Sequence, residues 1–483
     1  MLSEEMVELV LDTIRLKAET QNVEIKSAHQ GCPKKLYDTL SSFSNQDGGG
    51  IILFGIDEVS DFTITGVYDL QDLQKKVTEQ CSQMVPPVRA VFTIAEIDGK
   101  SICSAEIPSV DIAERPCYYS GAGRTKGSYV RVGDADLPMT DYEIYSYEAF
   151  RKHVHDDERT VERANMQFLD KEKIEKYLEK MKEERPGFTS LTTEQAYEML
   201  AITRNGIPTL AAILNFGIYP QGYFPQLAIT AIVVPGKEIG TLSEDAVRFL
   251  DNKRIEGTLS TMLSEAISFC LRNIKVRTMI DPHTGERIDK TEYPIEAIRE
   301  AVLNALIHRD YSHFTEGTPI QINIFSDRME IHSPGNLYGR VTVEELGKIR
   351  PDLRNPALAT MSEFLLKTEN RYSGIPTIRR EMKAAGLPDP VFINGRNEFI
   401  VVLYNGEYVK QEVRKPNIET GVDNLLEFCQ IPRTRKEIAQ FLGLDTIFYV
   451  MKKYIEPLLA EGKLEMTIPD KPSSRKQKFV IKQ

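Results

Sequence analysis

The alternation of apolar and polar positions predicts most of the elements. In PIEAIREAVLNALIHRDYS, Ile295, Ile298, Val302, Ala305 and Leu306 recur every three or four residues. At about 100° per residue that spacing puts them on one face of a helix. Pro294 suits its first turn, where a missing N–H costs nothing. Glu300, Asn304 and His308 recur every four residues on the opposite face. Short apolar runs predict strands in GGGIILFGIDE, RAVFTIAEIDGKSICSAEI, GSYVRVG, QLAITAIVVPG, IQINIF, MEIHSP and EFIVVLY. GIPTIRREMKAAG predicts a further helix, stopped by Gly386 and Pro388.

These elements divide the chain into four segments and give an α+β multidomain fold class. Residues 1–150 open with a helix and turn β-rich. Residues 151–290 begin with a charge-rich helical stretch, 156–185, that reads as a solvated connector or interdomain helix, and continue into a mixed α/β segment with no assignable chemistry. Residues 291–410 form an α/β unit. Residues 421–483 form a small unit with the order helix, turn, helix and two strand-like runs.

The length of 483 residues is consistent with about three or four domains at roughly 100–200 residues each. The 41% hydrophobic and 27% charged content excludes a chain disordered throughout. No apolar run reaches the roughly 18 residues of a membrane span, and the acidic, amphipathic start does not resemble a signal peptide. Six scattered cysteines without CxxC spacing point to a reduced, cytoplasmic location and away from a thiolate metal cage. The net charge of −11 excludes a uniformly basic nucleic-acid wrapper but not local basic patches.

In the first segment, three glycines after Asp47 permit positive φ and close backbone approach ahead of a buried strand. Glu19, Glu24 and Asp57 flank that strand, with Lys26 beside them. Two readings stand. The carboxylates hold a divalent cation through oxygen, or Asp57 caps a hairpin while Glu24 and Lys26 make a surface ion pair. ETQNVEIK, SNQDGGGIILFGIDE and YYSGAGRTKGSYVRVGDADLPMT together resemble the Schlafen-type AlbA-like domain over about residues 10–145. The resemblance implies an AlbA-like α/β fold that binds nucleic acid. From the nuclease members it implies Glu19, Glu24 and Asp57 as catalytic carboxylates. Arg124, Lys126 and Arg131, interleaved with Tyr118, Tyr119 and Tyr129 on a Gly-rich hairpin, and Lys26 are the candidate nucleic-acid contacts: cations for phosphate, rings for stacking.

The helix from Pro294 offers Asn304 as a neutral oxygen donor suited to Mg²⁺ and Glu300 as a residue able to orient or deprotonate water. EAIREAVLNALIHRDYS, IQINIFSDRMEIHSPGNL, RNPALA and SGIPTIRREMKAAGLPDPVF resemble the carboxy-terminal ATP-binding module of RecG-like proteins. That module is a GHKL-like α/β sandwich related to gyrase and the histidine kinases. The resemblance implies ATP and Mg²⁺ as cofactors, with Asn304 as metal ligand, Glu300 activating water, and Glu300, Asn304, His308, Ser333, Gly335 and Gly374 around the nucleotide. Ser333 stands where relatives carry an adenine-reading Asp, and only Ser373 and Gly374 remain of a longer glycine series. No GxxxxGK[ST] loop occurs, so a helicase motor is not expected.

The last segment resembles a winged helix, with Thr434 capping its first helix. Lys452 and Lys453 flank the recognition helix, and Arg475 and Lys476 charge the wing. The expectation from the whole chain is a cytoplasmic, DNA- or RNA-binding transcriptional regulator with an ATP-binding-like module, acting as a homodimer. The alternatives are a metal-dependent Schlafen-like endonuclease acting on tRNA or single-stranded DNA, as in phage defence, and a free-standing weak ATPase.

Overall fold

Three consecutive glycines set the entry to the first sheet. Gly48 and Gly49 adopt φ of +82° and +70°, and a side chain on Gly49 would collide with the Ile107 carbonyl, one on Gly50 with the Phe43 ring. The strand Gly50–Phe54 can therefore run directly beneath the helix Tyr37–Asn45. It pairs in parallel with Val23–Lys26 and antiparallel with Lys100–Ile107, which in turn pairs with Val91–Ile97. Helix Ser3–Leu16 covers one face through Met6 and Val10, which pack with Val23, Ile25, Leu53 and Ile102. Helices Tyr37–Asn45 and Leu70–Ser82 cover the other through Leu40, Phe43, Leu73 and Val77. Burial on both faces explains why the central strand Gly50–Phe54 reads as a continuous apolar run, whereas the edge strand Val91–Ile97 stays partly exposed.

The computed structural model describes residues 1–243, 245–280, 287–366 and 373–407, and beyond them 425–426, 428–441, 450–460, 462–467, 469 and 477–482. The chain separates into two compact units, 1–408 and 409–483.

The second sheet crosses the boundary that the sequence suggests at residue 290. Its six strands lie in the order Asp251–Ile255, Ile229–Val233, Ile320–Ile324, Arg328–Pro334, Glu398–Tyr404, Val391–Asn394. Ile229–Val233 joins Ile320–Ile324 in parallel, in register Ile229↔Ile320 to Val233↔Ile324, and the other pairs are antiparallel. One apolar core runs from Val161 to Leu403. It includes Ile174, Tyr177, Leu178 and Met181, spaced i, i+3, i+4, i+7 on the helix Lys171–Glu184. The charge-rich stretch, expected as a solvated connector or interdomain helix, is thus a half-buried helix whose charges clothe its outer face.

Helix Ile295–His308 packs between helices Leu259–Asn273 and Gly374–Ala384. Ile298, Val302, Ala305 and Leu306 are buried as their spacing predicts, while Ile295, in the first turn, is 40% exposed. Gly386, at φ +70°, follows the end of helix Gly374–Ala384.

In the C-terminal unit, helix Arg435–Phe441 is capped by Thr434 and Glu437, each side chain bonding the other's backbone N–H. The strand Arg433–Thr434 pairs with Lys478–Ile481, which also pairs with Leu464–Met466, over a core of Leu425, Ile438, Ile455, Leu458 and Phe479. Among the described residues, no helix is long and apolar enough to cross a membrane. All six cysteines are free thiols, five of them buried.

Candidate functional site

Two of the three expected catalytic carboxylates come together, around a buried arginine. Glu19 accepts the Ile25 N–H at 2.8 Å just before the strand Val23–Lys26, and Glu24 lies within that strand, 6% exposed. Arg131, only 3% exposed, places Nη1 2.8 Å from Glu24 and 3.0 Å from Asp136, and Nη2 3.6 Å from Glu19. Its guanidinium lies over the Phe43 ring at 5.2 Å. Lys26 also pairs with Glu24. Burial and the neighbouring Glu24 carboxylate push Glu19 up to about 8. With Glu19 protonated at neutral pH, two carboxylates face two cations and the charges balance.

Asp57 is engaged elsewhere, accepting the Ser60 hydroxyl at the turn after Ile56–Asp57. Among the described residues no three His, Cys, Asp or Glu side chains gather as metal ligands. The expected trio of Glu19, Glu24 and Asp57 is therefore not assembled; Glu19 and Glu24 instead face the Arg131 guanidinium. Arg131 differs from its expectation as well. Far from an exposed phosphate contact, it is the internal counter-ion of this cluster.

The remaining expected cations lie on the surface. GRTKG forms a short helix, Gly123–Gly127, where the sequence suggests a hairpin turn. Arg124 pairs with Glu148 and lies 5.5 Å over Tyr118, whereas Lys126 is exposed. Tyr119 stacks on Tyr37 with ring centres 3.7 Å apart and planes 16° from parallel. Lys34 and Lys35, exposed immediately before this tyrosine's helix, extend the basic and aromatic surface. Sequence reasoning missed them, although KKLY at a helix start carries the signal. Tyr129 is half buried, and its N–H donates to Ser41.

The six residues assigned to the nucleotide, Glu300, Asn304, His308, Ser333, Gly335 and Gly374, all line one cavity of about 200 Å³. Its walls are largely apolar, including Leu303, Ile307, Ile331, Phe399 and Val401. At one end, a Cβ on Gly374 would sit 2.9 Å from Glu300 Oε2 and 3.0 Å from Asn304 Nδ2. The helix Gly374–Ala384 thus starts in close approach to both side-chain ends. Burial raises the Glu300 carboxyl, and an approaching cation would restore its charge. Glu300 and Asn304 thus offer two adjacent oxygen donors, which fits Mg²⁺ that keeps water and phosphate ligands.

At the other end, His308 lines the cavity as the exposed last residue of the helix Ile295–His308. Ser333 donates to the Ala305 carbonyl at 3.3 Å. Arg354, the single Arg or Lys among the described lining residues, went unnoticed in the sequence. It is 6% exposed, with Nη1 3.5 Å from Asp310, and lies 5.0 Å over Tyr338. Burial opposes ionisation of Asp310, but Arg354 and Ser312 outweigh it and hold the carboxyl below its usual range. Gly335, at φ +105°, makes room for both, since a Cβ there would collide with Arg354 and lie 2.5 Å from Asp310 Cβ.

Of the C-terminal candidates, Lys452 and Lys453 fall within Met451–Ile455, but their side chains, like Arg475 and Lys476 altogether, lie outside the described residues.

Residues 19–140 match the family model "Schlafen, AlbA_2", and residues 317–403 match "Putative ATP-dependent DNA helicase recG C-terminal". Residues 420–481 match "Filamentation induced by cAMP protein Fic-like, C-terminal domain", and residues 147–230 match a domain of unknown function. The RecG-type match begins after the helix Ile295–His308, so Glu300, Asn304 and His308 join the cavity by folding rather than by lying in the matched stretch. No curated protein matches. The solved structure of the DIP2311 protein from Corynebacterium diphtheriae is 20% identical, over 95% of this chain and 93% of that one, with a TM-score of 0.40. The N-terminal domain of a "Putative ATP-dependent DNA Helicase RecG-related Protein" from Nitrosomonas europaea is 26% identical over 27% of this chain and 91% of that one, with a TM-score of 0.22.

Proposed function

We propose that this chain, which joins a Schlafen-type AlbA-like domain to a RecG-like carboxy-terminal module, is a nucleic-acid-binding transcriptional regulator that holds a nucleotide. The observation that carries this reading is the cavity uniting Glu300, Asn304, His308, Ser333, Gly335 and Gly374. In it Glu300 and Asn304 would hold Mg²⁺, which would supply positive charge against phosphate, and the apolar wall near Ser333 would take the base. The exposed Lys34, Lys35 and Lys126, beside the stacked Tyr37–Tyr119 pair, support contact with phosphates and bases. A homodimer, with the C-terminal unit as a second, winged-helix contact, would supply the two-fold site reading that one weak module lacks.

Endonuclease action is the competing reading, and the pairing of Glu19 and Glu24 with the buried Arg131, rather than with Asp57, weighs against it. Calorimetric titration with ATP and Mg²⁺, and footprinting upstream of the chain's own gene, test the regulator. Saturable nucleotide binding lost in Asn304→Ala, together with a defined footprint, is expected. Mn²⁺-dependent cleavage of tRNA or single-stranded DNA that Glu24→Ala abolishes would instead establish the nuclease.

A further inference from the structure

The cavity and the amino-terminal domain meet at one side chain. Helix Asp141–Lys152 leaves the last hairpin of the AlbA-like domain and lies against the loop that floors the cavity. Thr140 and Glu143 cap its start, and Arg396 from the far side of the second sheet grips Glu143 with two bonds, of 2.8 and 2.6 Å. Phe150 meets the ring of the cavity residue Tyr338 edge to face at 5.5 Å.

Asn336, another lining residue, sits between the two. Its Oδ1 lies 3.3 Å from the Tyr142 hydroxyl and 3.2 Å from the Ser146 hydroxyl, both on this helix, and 3.1 Å from Arg354 Nη2 on the cavity side. Its N–H donates to the Tyr142 hydroxyl at 3.2 Å. Three donors therefore compete for one amide oxygen with two lone pairs. Arg354 Nη2 also donates to the Asn336 backbone carbonyl at 3.0 Å, so it keeps one bond when it leaves Oδ1, while Nη1 is buried without a hydrogen-bond acceptor and the Asp310 carboxylate stands off at 3.5 Å.

We infer that Asn336 couples occupancy of the cavity to the docking of helix Asp141–Lys152, so that nucleotide alters the grip of the amino-terminal domain on nucleic acid. The inference rests on the nucleotide-binding, nucleic-acid-binding reading above and adds its regulation. A ligand acceptor that satisfies Arg354 draws its Nη2 from Asn336. The released lone pair then passes to Tyr142 and Ser146, and the helix is held differently. A ligand without such an acceptor leaves the arrangement unchanged, because only differential interaction shifts a two-state equilibrium. By linkage, the factor by which nucleotide changes nucleic-acid affinity equals the factor in the reverse direction.

The test uses the full chain, ATP with Mg²⁺, and a labelled duplex from upstream of its own gene. Duplex affinity is measured with and without ATP, and ATP affinity with and without duplex, for the wild type, Tyr142→Phe, Ser146→Ala and the double variant. The expected wild-type coupling is about 5–150-fold in both directions. In the double variant both separate affinities stay within about twofold while the coupling falls towards one. Tyr142→Phe keeps the ring and its packing, so it retains the fold, which its melting temperature checks. A wild-type coupling factor of one, or a double variant as strongly coupled as the wild type, overturns the inference while leaving the proposed function intact. Failure of the wild type to bind ATP, or to bind the duplex, removes the proposed function itself and the coupling with it.

Discussion

Replacing Arg131 by methionine removes the guanidinium and keeps most of the aliphatic volume. Its side chain is 1% exposed and carries contacts to Glu24 at 2.8 Å, Asp136 at 3.0 Å and Glu19 at 3.6 Å. Deleting one member of a buried ion cluster leaves the rest uncompensated, at a cost of about 3–5 kcal/mol. For a unit of 150–250 residues, where 1 kcal/mol moves Tm by roughly 2–4 °C, that is a fall of about 6–20 °C in the transition of the amino-terminal domain. Arg124→Ala is the control: it loses a pair whose partners are 33% and 28% exposed, a class of interaction contributing about 0–1 kcal/mol. Differential scanning calorimetry on both variants reads the difference. Adding Glu24→Gln to Arg131→Met should recover part of the loss, since it removes a carboxylate left without its cation. An Arg131→Met transition within about 2 °C of wild type would refute the charge-cluster reasoning.

Three further outcomes follow from other sites. Glu19 is raised from its ordinary 4.5 to about 8, so the folded domain keeps a proton that the unfolded chain releases. Its stability therefore falls as pH rises from about 4.5 through about 8, and a Tm–pH series on Glu19→Gln should be flatter across that window. Lys34→Ala combined with Lys35→Ala should weaken nucleic-acid binding and lower the slope of log affinity against log salt by about 1 per lost phosphate contact, read by titration at several salt concentrations. Gly335→Ala forces a side chain into φ +105° beside Arg354 and Asp310, and should cost about 1–3 kcal/mol in denaturant unfolding.

The nucleotide candidates were legible because Glu300, Asn304 and His308 share one helix face, where four-residue spacing alone places them together. Ser333, Gly335 and Gly374 were legible through the resemblance to RecG-like proteins. Arg354, Asp310 and Asn336 were not, since their meeting depends on how the loop after the strand Arg328–Pro334 folds back and leaves no periodic trace. The same holds for Arg131: its partners Glu19 and Glu24 lie more than a hundred residues away, and a cation next to tyrosines in a polar hairpin reads locally as a surface feature. The second sheet spans residue 290 for a related reason. QLAITAIVVPG was recognised as a strand, but its parallel neighbour arrives some 90 residues later, beyond the reach of any local pattern.

That long-range partnership matters during synthesis. At roughly 5–20 residues per second, the ribosome needs about 5–20 s to deliver Ile320–Ile324 after Ile229–Val233 has emerged. In that interval the earlier strand presents an unsatisfied edge, shielded only by its antiparallel neighbour Asp251–Ile255 on one side. A fragment cut at residue 291 would inherit the mirror problem, a naked Ile320–Ile324 border, and should be recovered as aggregate rather than as a free-standing module.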